Sequence, residues 1–330
     1  MKTVTCNEYG PPNVLKIGVS RRPNPGNRDI LVRVYASSVT AADTMIRKGE
    51  PIYGRLFLGL FKPKFNTPGT GFSGVIEELG NQVENHQVGD QVFGEVLFTS
   101  DNLTLGTNAE YVCVPEDQLV FHKPNNVSHI EAACICDGLV TSLNFLKHVV
   151  QLKSGQSILI NGASGSLGTA AVQIAKVIGA KVTAVCSDRN RELVKSLGAD
   201  IVLDYTQEHF EHSLKQYDVI YDSVGKLSFI KCQKHLTEHG AFISPVLSIG
   251  LLANVLRTSL VGNRKARFSA TGLLERAERY QLFKHAIGLL AEEKVRQVVD
   301  RTYLIDEIKA AHGYVETGRK VGNLALIPSL

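Results

Sequence analysis

The apolar run Ser157-Ile158-Leu159-Ile160-Asn161 has the length and bounds of a buried strand, and a helical period of apolar residues occupies 169–178 beyond it. Between them lies Gly162-Ala163-Ser164-Gly165-Ser166-Leu167-Gly168, a turn too rich in glycine to continue either element. The alternation then repeats. Gly179 closes the helix, residues 181–185 read as a second strand, 191–197 as a second helix closed by Gly198, and 201–203 as a third strand. Residues 218–222 and 241–244 continue the strands, with a helix predicted over 229–236 and Gly240 just past its end. Strands separated by helices of this length predict a parallel, doubly wound sheet with helices on both faces.

Gly162, Gly165 and Gly168 keep the three-residue spacing that lets a pyrophosphate reach the backbone N–H groups at a helix N-terminus, where any side chain would stand in the way. The turn therefore predicts a dinucleotide site. An NAD site usually ends its second strand in Asp or Glu to hold the ribose 2′-hydroxyl. Here the strand ends at Cys186, followed by Ser187-Asp188-Arg189-Asn190. A neutral residue at that place, with the Ser187 hydroxyl and the Arg189 guanidinium beside it, suits the 2′-phosphate of NADPH. Asp188, shifted by two residues, keeps NAD open as the alternative.

The flanking sequence has a different texture. Short β-like runs at 30–36, 74–79 and 88–94 are separated by Pro and Gly turns, predicting an irregular all-β domain over the first 120 residues. After about residue 263 the pattern gives a helix at 273–291, a strand near Tyr303, a helix through Ala311 and a last strand at 323–327. These pieces are too few to stand alone. The expected division is 1–120 with 264–330 for one domain and 121–263 for the nucleotide-binding one.

The 330 residues can bury two cores, and a net charge of +4 with 21% charged residues gives no field that would favour nucleic acid. The six cysteines, at 6, 113, 134, 136, 186 and 232, lack both paired metal spacing and disulfide density. No apolar run reaches the length of a membrane span, and the first residues show no signal-like segment, so a cytoplasmic protein is expected.

Tyr9-Gly10-Pro11-Pro12, Pro68-Gly69-x-Gly71-x-Ser73-Gly74, Val88-Gly89-Asp90-x-Val92-Phe93-Gly94, the turn ending at Gly168 and Val185-Cys186-Ser187 together resemble the medium-chain dehydrogenase/reductase superfamily. Within it the chain is similar to the zinc-free quinone oxidoreductase branch, including chloroplast-envelope and mitochondrial members. The resemblance spans nearly the whole chain. It implies an α/β fold, a Rossmann doubly wound sheet plus an irregular GroES-like β domain, with NADPH as cofactor and a homodimer as the assembly. It also places Tyr205 near the 2′-phosphate and Thr141 beside the nicotinamide. Ser164, Ser166, Leu167, Ser223 and Asn323 complete the candidate cofactor contacts.

Where zinc-dependent members carry Cys, His and Cys, this chain has Thr40, Thr70 and Asp137, a poor set for zinc. The stretch 93–108 lacks the four cysteines of their structural zinc, and none of the ten histidines, among them His122, His129, His148 and His285, shows ligand spacing, so no metal site is expected. A hydride can still be accepted by an already polarised substrate, a quinone or an α,β-unsaturated carbonyl compound, given orientation and a donor near the oxygen. The candidate catalytic residues are Thr40 and Asp43 on the loop after 30–36, Tyr53 beyond them, and Thr141. Relatives usually carry Asn at the place of Thr40 and often an acidic residue at that of Gly71. The apolar segment 56–61, flanked by Arg55, Lys62 and Lys64, reads as a lid over the substrate or as a membrane-surface contact. Chemistry is expected in the cleft between the domains. The competing function is a non-catalytic NADPH-binding redox sensor on the same fold.

Overall fold

The computed structural model describes residues 1–96, 106–208 and 213–328. The chain forms two compact units, Met1–Asp137 with Gln297–Leu330, and Gly138–Arg296. The first unit opens with β1 (Lys2–Cys6) and β2 (Leu15–Val19), an antiparallel pair, and β3 (Asp29–Ser38). Two helices follow, α1 (Ala41–Lys48) and α2 (Arg55–Leu58), then β4 (Gly71–Leu79), β5 (Gln91–Glu95), β6 (Tyr111–Pro115), β7 (Leu119–His122) and α3 (His129–Ala133).

The second unit runs α4 (Gly138–Leu143), β8 (Ser157–Asn161), α5 (Ser166–Ile178), β9 (Lys181–Cys186), α6 (Arg191–Ser196), β10 (Ile201–Asp204), β11 (Tyr217–Asp222), α7 (Phe229–Cys232), β12 (Leu236–Ile243), α8 (Ile249–Leu260), β13 (Lys265–Arg267) and α9 (Arg276–Ala291). The chain then returns to the first unit as β14 (Val299–Leu304), α10 (Ile308–Glu316) and β15 (Asn323–Ile327).

Among the described residues the second unit's six strands are all parallel, in the order β10-β9-β8-β11-β12-β13. This is the doubly wound Rossmann order, with the direction of winding reversing between β8 and β11, where such sheets bind ligands beyond the carboxyl ends of their strands. Leu159, Ile220, Phe229, Phe242 and Leu251 fill the core beneath it. In the first unit the strands β14-β15-β3-β4-β5-β7 share one sheet and β6 pairs with β3. Ile30, Val32, Val34, Phe72, Val92 and Val112 pack on one side of this unit, and Val4, Leu15, Ile308 and Leu324 form a second core under α10. Arg47, 1% exposed, ties α1 to α10: its Nε donates to His312 Nδ1 at 3.3 Å while its guanidinium also meets the Gly10 carbonyl and the Glu316 carboxylate.

Three sequence expectations shift. The division falls at Asp137/Gly138 and Arg296/Gln297 rather than near 120 and 263. The reason is pairing: β13 adds to β12 at the sheet edge and α9 packs on α4, so both stay with the nucleotide unit. The first 120 residues are not all β, because α1 and α2 interrupt the strands. The helix predicted over 229–236 ends at Cys232, a 3-10 turn covers Gln233–His235, and Leu236 already starts β12. Part of the cysteine-free stretch 93–108 lies outside the described residues. Among the described residues no helix is long and apolar enough to cross a membrane.

Candidate functional site

The turn after β8 is built around backbone contacts that exclude side chains. A Cβ at residue 168 would lie 2.1 Å from the Gly162 carbonyl oxygen and 2.6 Å from Ala163 Cα, so only glycine lets α5 seat on the end of β8. Gly162 has φ +78°, and a Cβ there would strike Ser223 Oγ at 2.7 Å. Gly165 is the N-cap of α5, and the added atom would meet only the Gly162 oxygen, at 3.5 Å. Gly165 thus stays small at the helix N-terminus where the first-turn N–H groups lack intrahelical acceptors, a ready anion site. Ser164, Ser166 and Leu167 complete this turn.

The remaining nucleotide-unit candidates surround that turn. Ser223 follows β11 and donates its hydroxyl to the Asn161 carbonyl at 2.7 Å. Asp222 is fully buried and organises the next turn, accepting from Asn161 Nδ2 (2.9 Å) and the Gly225 (3.1 Å) and Leu227 (2.7 Å) amides. Asn190, which sequence reasoning passed over, donates to Ser164 Oγ at 3.0 Å and Ser187 Oγ at 3.5 Å, joining the phosphate turn to the end of β9. Cys186 is buried there, its thiol pushed up to about 11 by that burial, so it fills space without acting as a nucleophile. Arg189 is exposed, and Tyr205 is 55% exposed with its N–H on the Cys186 carbonyl at 3.3 Å.

Asp188, the residue that kept NAD open, accepts from Arg191 Nε at 2.6 Å. Arg191 also donates to the Val202 carbonyl. The carboxylate that would repel a 2′-phosphate is thereby matched by a guanidinium. Thr141 sits on α4, whose neighbouring residues grip the turn: a Cβ on Gly138 would lie 2.4 Å from the Ser166 carbonyl, and Ser142 Oγ donates to the Leu167 carbonyl at 2.8 Å. Asn323 belongs to the other unit, where its buried amide donates to Gln297 Oε1 and the Val298 carbonyl, so its polar atoms serve the sheet.

Thr40 and Asp43 were expected on a loop; the structure makes them the N-cap and third residue of α1, because Thr40-x-x-Asp43 closes a capping box. Asp43 Oδ2 accepts from the Thr40 N–H and hydroxyl, both at 2.8 Å, and the Asp43 N–H donates to Thr40 Oγ at 3.1 Å. Asp43 is 2% exposed and faces a small cavity shared with Cys6, Ile46, Phe65 and Pro68. Burial lifts its carboxyl to about 6 against the lowering effect of the Thr40 and Gly69 hydrogen bonds, and the Asp137 charge adds to the rise. Lys320 also lies within the reach of Asp137, and burial lowers its ammonium pKa while Asp137 and Asp300 oppose the change. Its Nζ donates to the Gly322 carbonyl at 2.8 Å. Sequence reasoning returned the C-terminal segment to this unit but passed over Lys320, because nothing local says which of its residues comes near Asp137.

Zinc does not fit this cluster. Thr40 spends its hydroxyl proton on Asp43, and Asp137 already feels the Lys320 ammonium, which would repel a cation. Gly71 has its own reason: a side chain there would meet Cys136 Sγ at 2.4 Å and the Ala133 carbonyl at 2.5 Å. The space an acidic residue needs is already filled. Tyr53 lies on a 3-10 turn (Ile52–Gly54), 47% exposed, with Leu56, Leu60 and Phe61 also exposed. The histidines hold one surprise, since His86 and His122, far apart in sequence, come together with Asp90.

Comparison with known proteins now decides the family. An alcohol dehydrogenase GroES-like domain model matches residues 26–125 and a zinc-binding dehydrogenase model matches 197–326. The 2-methylene-furan-3-one reductase of Solanum lycopersicum is 32% identical over 99% of this chain and 79% of its own length. The chain belongs to the medium-chain dehydrogenase/reductase superfamily, in its quinone oxidoreductase-like branch. The NADPH-dependent alkenal/one oxidoreductase of Arabidopsis thaliana chloroplasts is a 28% identical relative, covering 99% of this chain and 80% of that protein. The quinone oxidoreductase of Coxiella burnetii superposes with a TM-score of 0.85 at 29% identity, covering 100% of this chain and 99% of that one. The zinc-binding description belongs to a model that spans 197–326, a range that does not include Thr40, Thr70 or Asp137.

Two predictions follow from this geometry. Gly165→Val should leave thermal stability nearly unchanged yet abolish dinucleotide binding, whereas Gly168→Val should cost about 3 kcal/mol or more through overpacking; calorimetry and fluorescence titration read the two effects. The folded Asp43 carboxyl binds its proton more tightly than the unfolded one, so its contribution to stability is present at low pH and lost as pH rises from about 4 to about 6. Asp43→Asn should remove that loss, gaining on the order of 3 kcal/mol relative to the parent between pH 4 and pH 7, measured by denaturant unfolding at both. An unchanged difference between the two proteins would place the carboxyl at its ordinary pKa.

Proposed function

We propose that this protein is an NADPH-dependent reductase that reduces quinones or α,β-unsaturated carbonyl compounds without a catalytic metal. The observation that carries the cofactor choice is the end of β9: neutral Cys186, hydroxylated Ser187 and exposed Arg189, with Asp188 paired to Arg191. The pyrophosphate would rest on the amides of the Gly162–Gly168 turn at the N-terminus of α5. Ser187, Arg189 and Tyr205 would hold the 2′-phosphate. The NADPH-dependent alkenal/one reductase and the quinone oxidoreductase among its relatives support both the cofactor and the acceptor class.

NADPH supplies a hydride, and the acceptor must already be polarised because no Lewis acid is available from Thr40, Thr70 and Asp137. The chain's own contribution is a proton and a dry, oriented acceptor. Asp43, poised near 6 and bonded to the Thr40 hydroxyl, is suited to hold a proton and pass it through that hydroxyl to an enolate or quinol oxygen. The exposed apolar group Tyr53, Leu56, Leu60 and Phe61 supplies the wall a nonpolar acceptor needs, which favours the lid reading. A homodimer is supported by the exposed face of α8, where Ile249, Leu256 and Leu260 are 81%, 68% and 85% exposed, beside edge strand β13. The scattered spacing of the six cysteines agrees with a reducing, cytoplasmic setting.

The test is NADPH oxidation against a panel of benzoquinones, naphthoquinones and enones. Turnover with members of the panel is expected; tight NADPH binding with no turnover on any of them would favour the redox-sensor alternative. Arg189→Ala should weaken NADPH by about 1–3 kcal/mol and leave NADH nearly unchanged. Equal losses for both cofactors would remove Arg189 from the phosphate site.

A further inference from the structure

His86, Asp90 and His122 are brought together by the β5–β7 pairing, in which Val92 lies opposite His122. Their ligand atoms all lie within 4.8 Å of one another. Asp90 Oδ2 stands 3.9 Å from the Nδ1 of each imidazole, too far for a hydrogen bond, and the two rings are 5.2 Å apart at an interplanar angle of 48°.

The decisive detail is His86. Its side chain is 6% exposed, and its Nδ1, shielded from solvent, has no hydrogen-bond partner. A buried imidazole nitrogen facing a carboxylate and a second imidazole without bonding to either is costly unless something sits between them. The surrounding chain fixes the donors. Asp90 Oδ2 accepts the Gln87 amide at 2.9 Å, and the Glu116 carboxylate, 2% exposed, accepts the amides of Glu84 and Asn85 at 3.0 and 3.2 Å, clamping the turn that leads into His86. Such outer contacts orient ligands in metal sites.

We propose that His86, Asp90 and His122 form a binding site for a borderline divalent transition metal of the Zn2+ class, with a fourth position open to water. Two imidazole nitrogens and one carboxylate oxygen select such ions over Mg2+ or Ca2+. Tetrahedral ligation at Zn–N and Zn–O distances of about 2.0–2.2 Å needs donors roughly 3.4 Å apart. The required contraction is small, and His122, whose side chain is 63% exposed, is free to make it. A bound ion would tie the 84–90 turn to the end of β7. None of the three residues belongs to the proposed reduction chemistry, so the site is separate from the reductase function.

The test is calorimetric titration of the chelator-treated protein with ZnCl2. One saturable site per chain is expected, weakened at least tenfold in His122→Ala and in Asp90→Asn, but unchanged in the surface control His148→Ala. Circular dichroism checks that the variants fold, and Co2+ in place of Zn2+ should give the visible absorption of a tetrahedral site. No saturable binding below millimolar Zn2+, or equal affinity in the parent and His122→Ala, would overturn the proposal.

Discussion

The approach of Gly168 to the Gly162 carbonyl is the contact on which the nucleotide unit depends. With 2.1 Å between that oxygen and any Cβ at residue 168, helix and strand join only because both positions are glycine. The same closeness brings the first turn of α5 to the carboxyl end of β8 at the winding reversal of the sheet, the place where such folds hold a phosphate. Asp222, Asn190, Gly138 and Ser142 then hold neighbouring segments against this turn through backbone contacts and short hydrogen bonds. Cofactor capture is thus a by-product of how the first strand meets the first helix.

In the other unit the governing constraint is electrostatic. Helix α1 begins at a buried capping box, so the carboxyl that stabilises the helix is withheld from water and its proton affinity rises. Asp137 adds a second negative group and Lys320 a compensating positive one. A protein that had kept thiolates and an imidazole here would polarise its substrate with a metal. This one has hydroxyl, carboxyl and ammonium groups, whose natural chemistry is proton transfer.

The glycine turn, the strand and helix alternation and the neutral end of the second strand were legible in sequence because each depends on residues close along the chain. The capping box was also written locally, as Thr40-x-x-Asp43, yet the segment was read as loop. Its apolar residues Ala41, Ala42, Met45 and Ile46 do recur at helical spacing, but over only eight residues. The domain boundary was misplaced because strand β13 is three residues long and declares itself only by pairing with β12. Lys320 and the gathering of His86, Asp90 and His122 depend on pairings across tens to hundreds of residues, which no local spacing encodes.

The most direct measurement is isotope transfer. Protein stripped of metals by chelation would be given NADPH carrying deuterium at the reactive C4 position and an α,β-unsaturated ketone, and the product analysed by mass spectrometry and NMR. The account predicts undiminished turnover, deuterium at the β-carbon and a solvent-derived hydrogen at the α-carbon. Loss of turnover on metal removal, or a β-carbon hydrogen drawn from solvent, would contradict it.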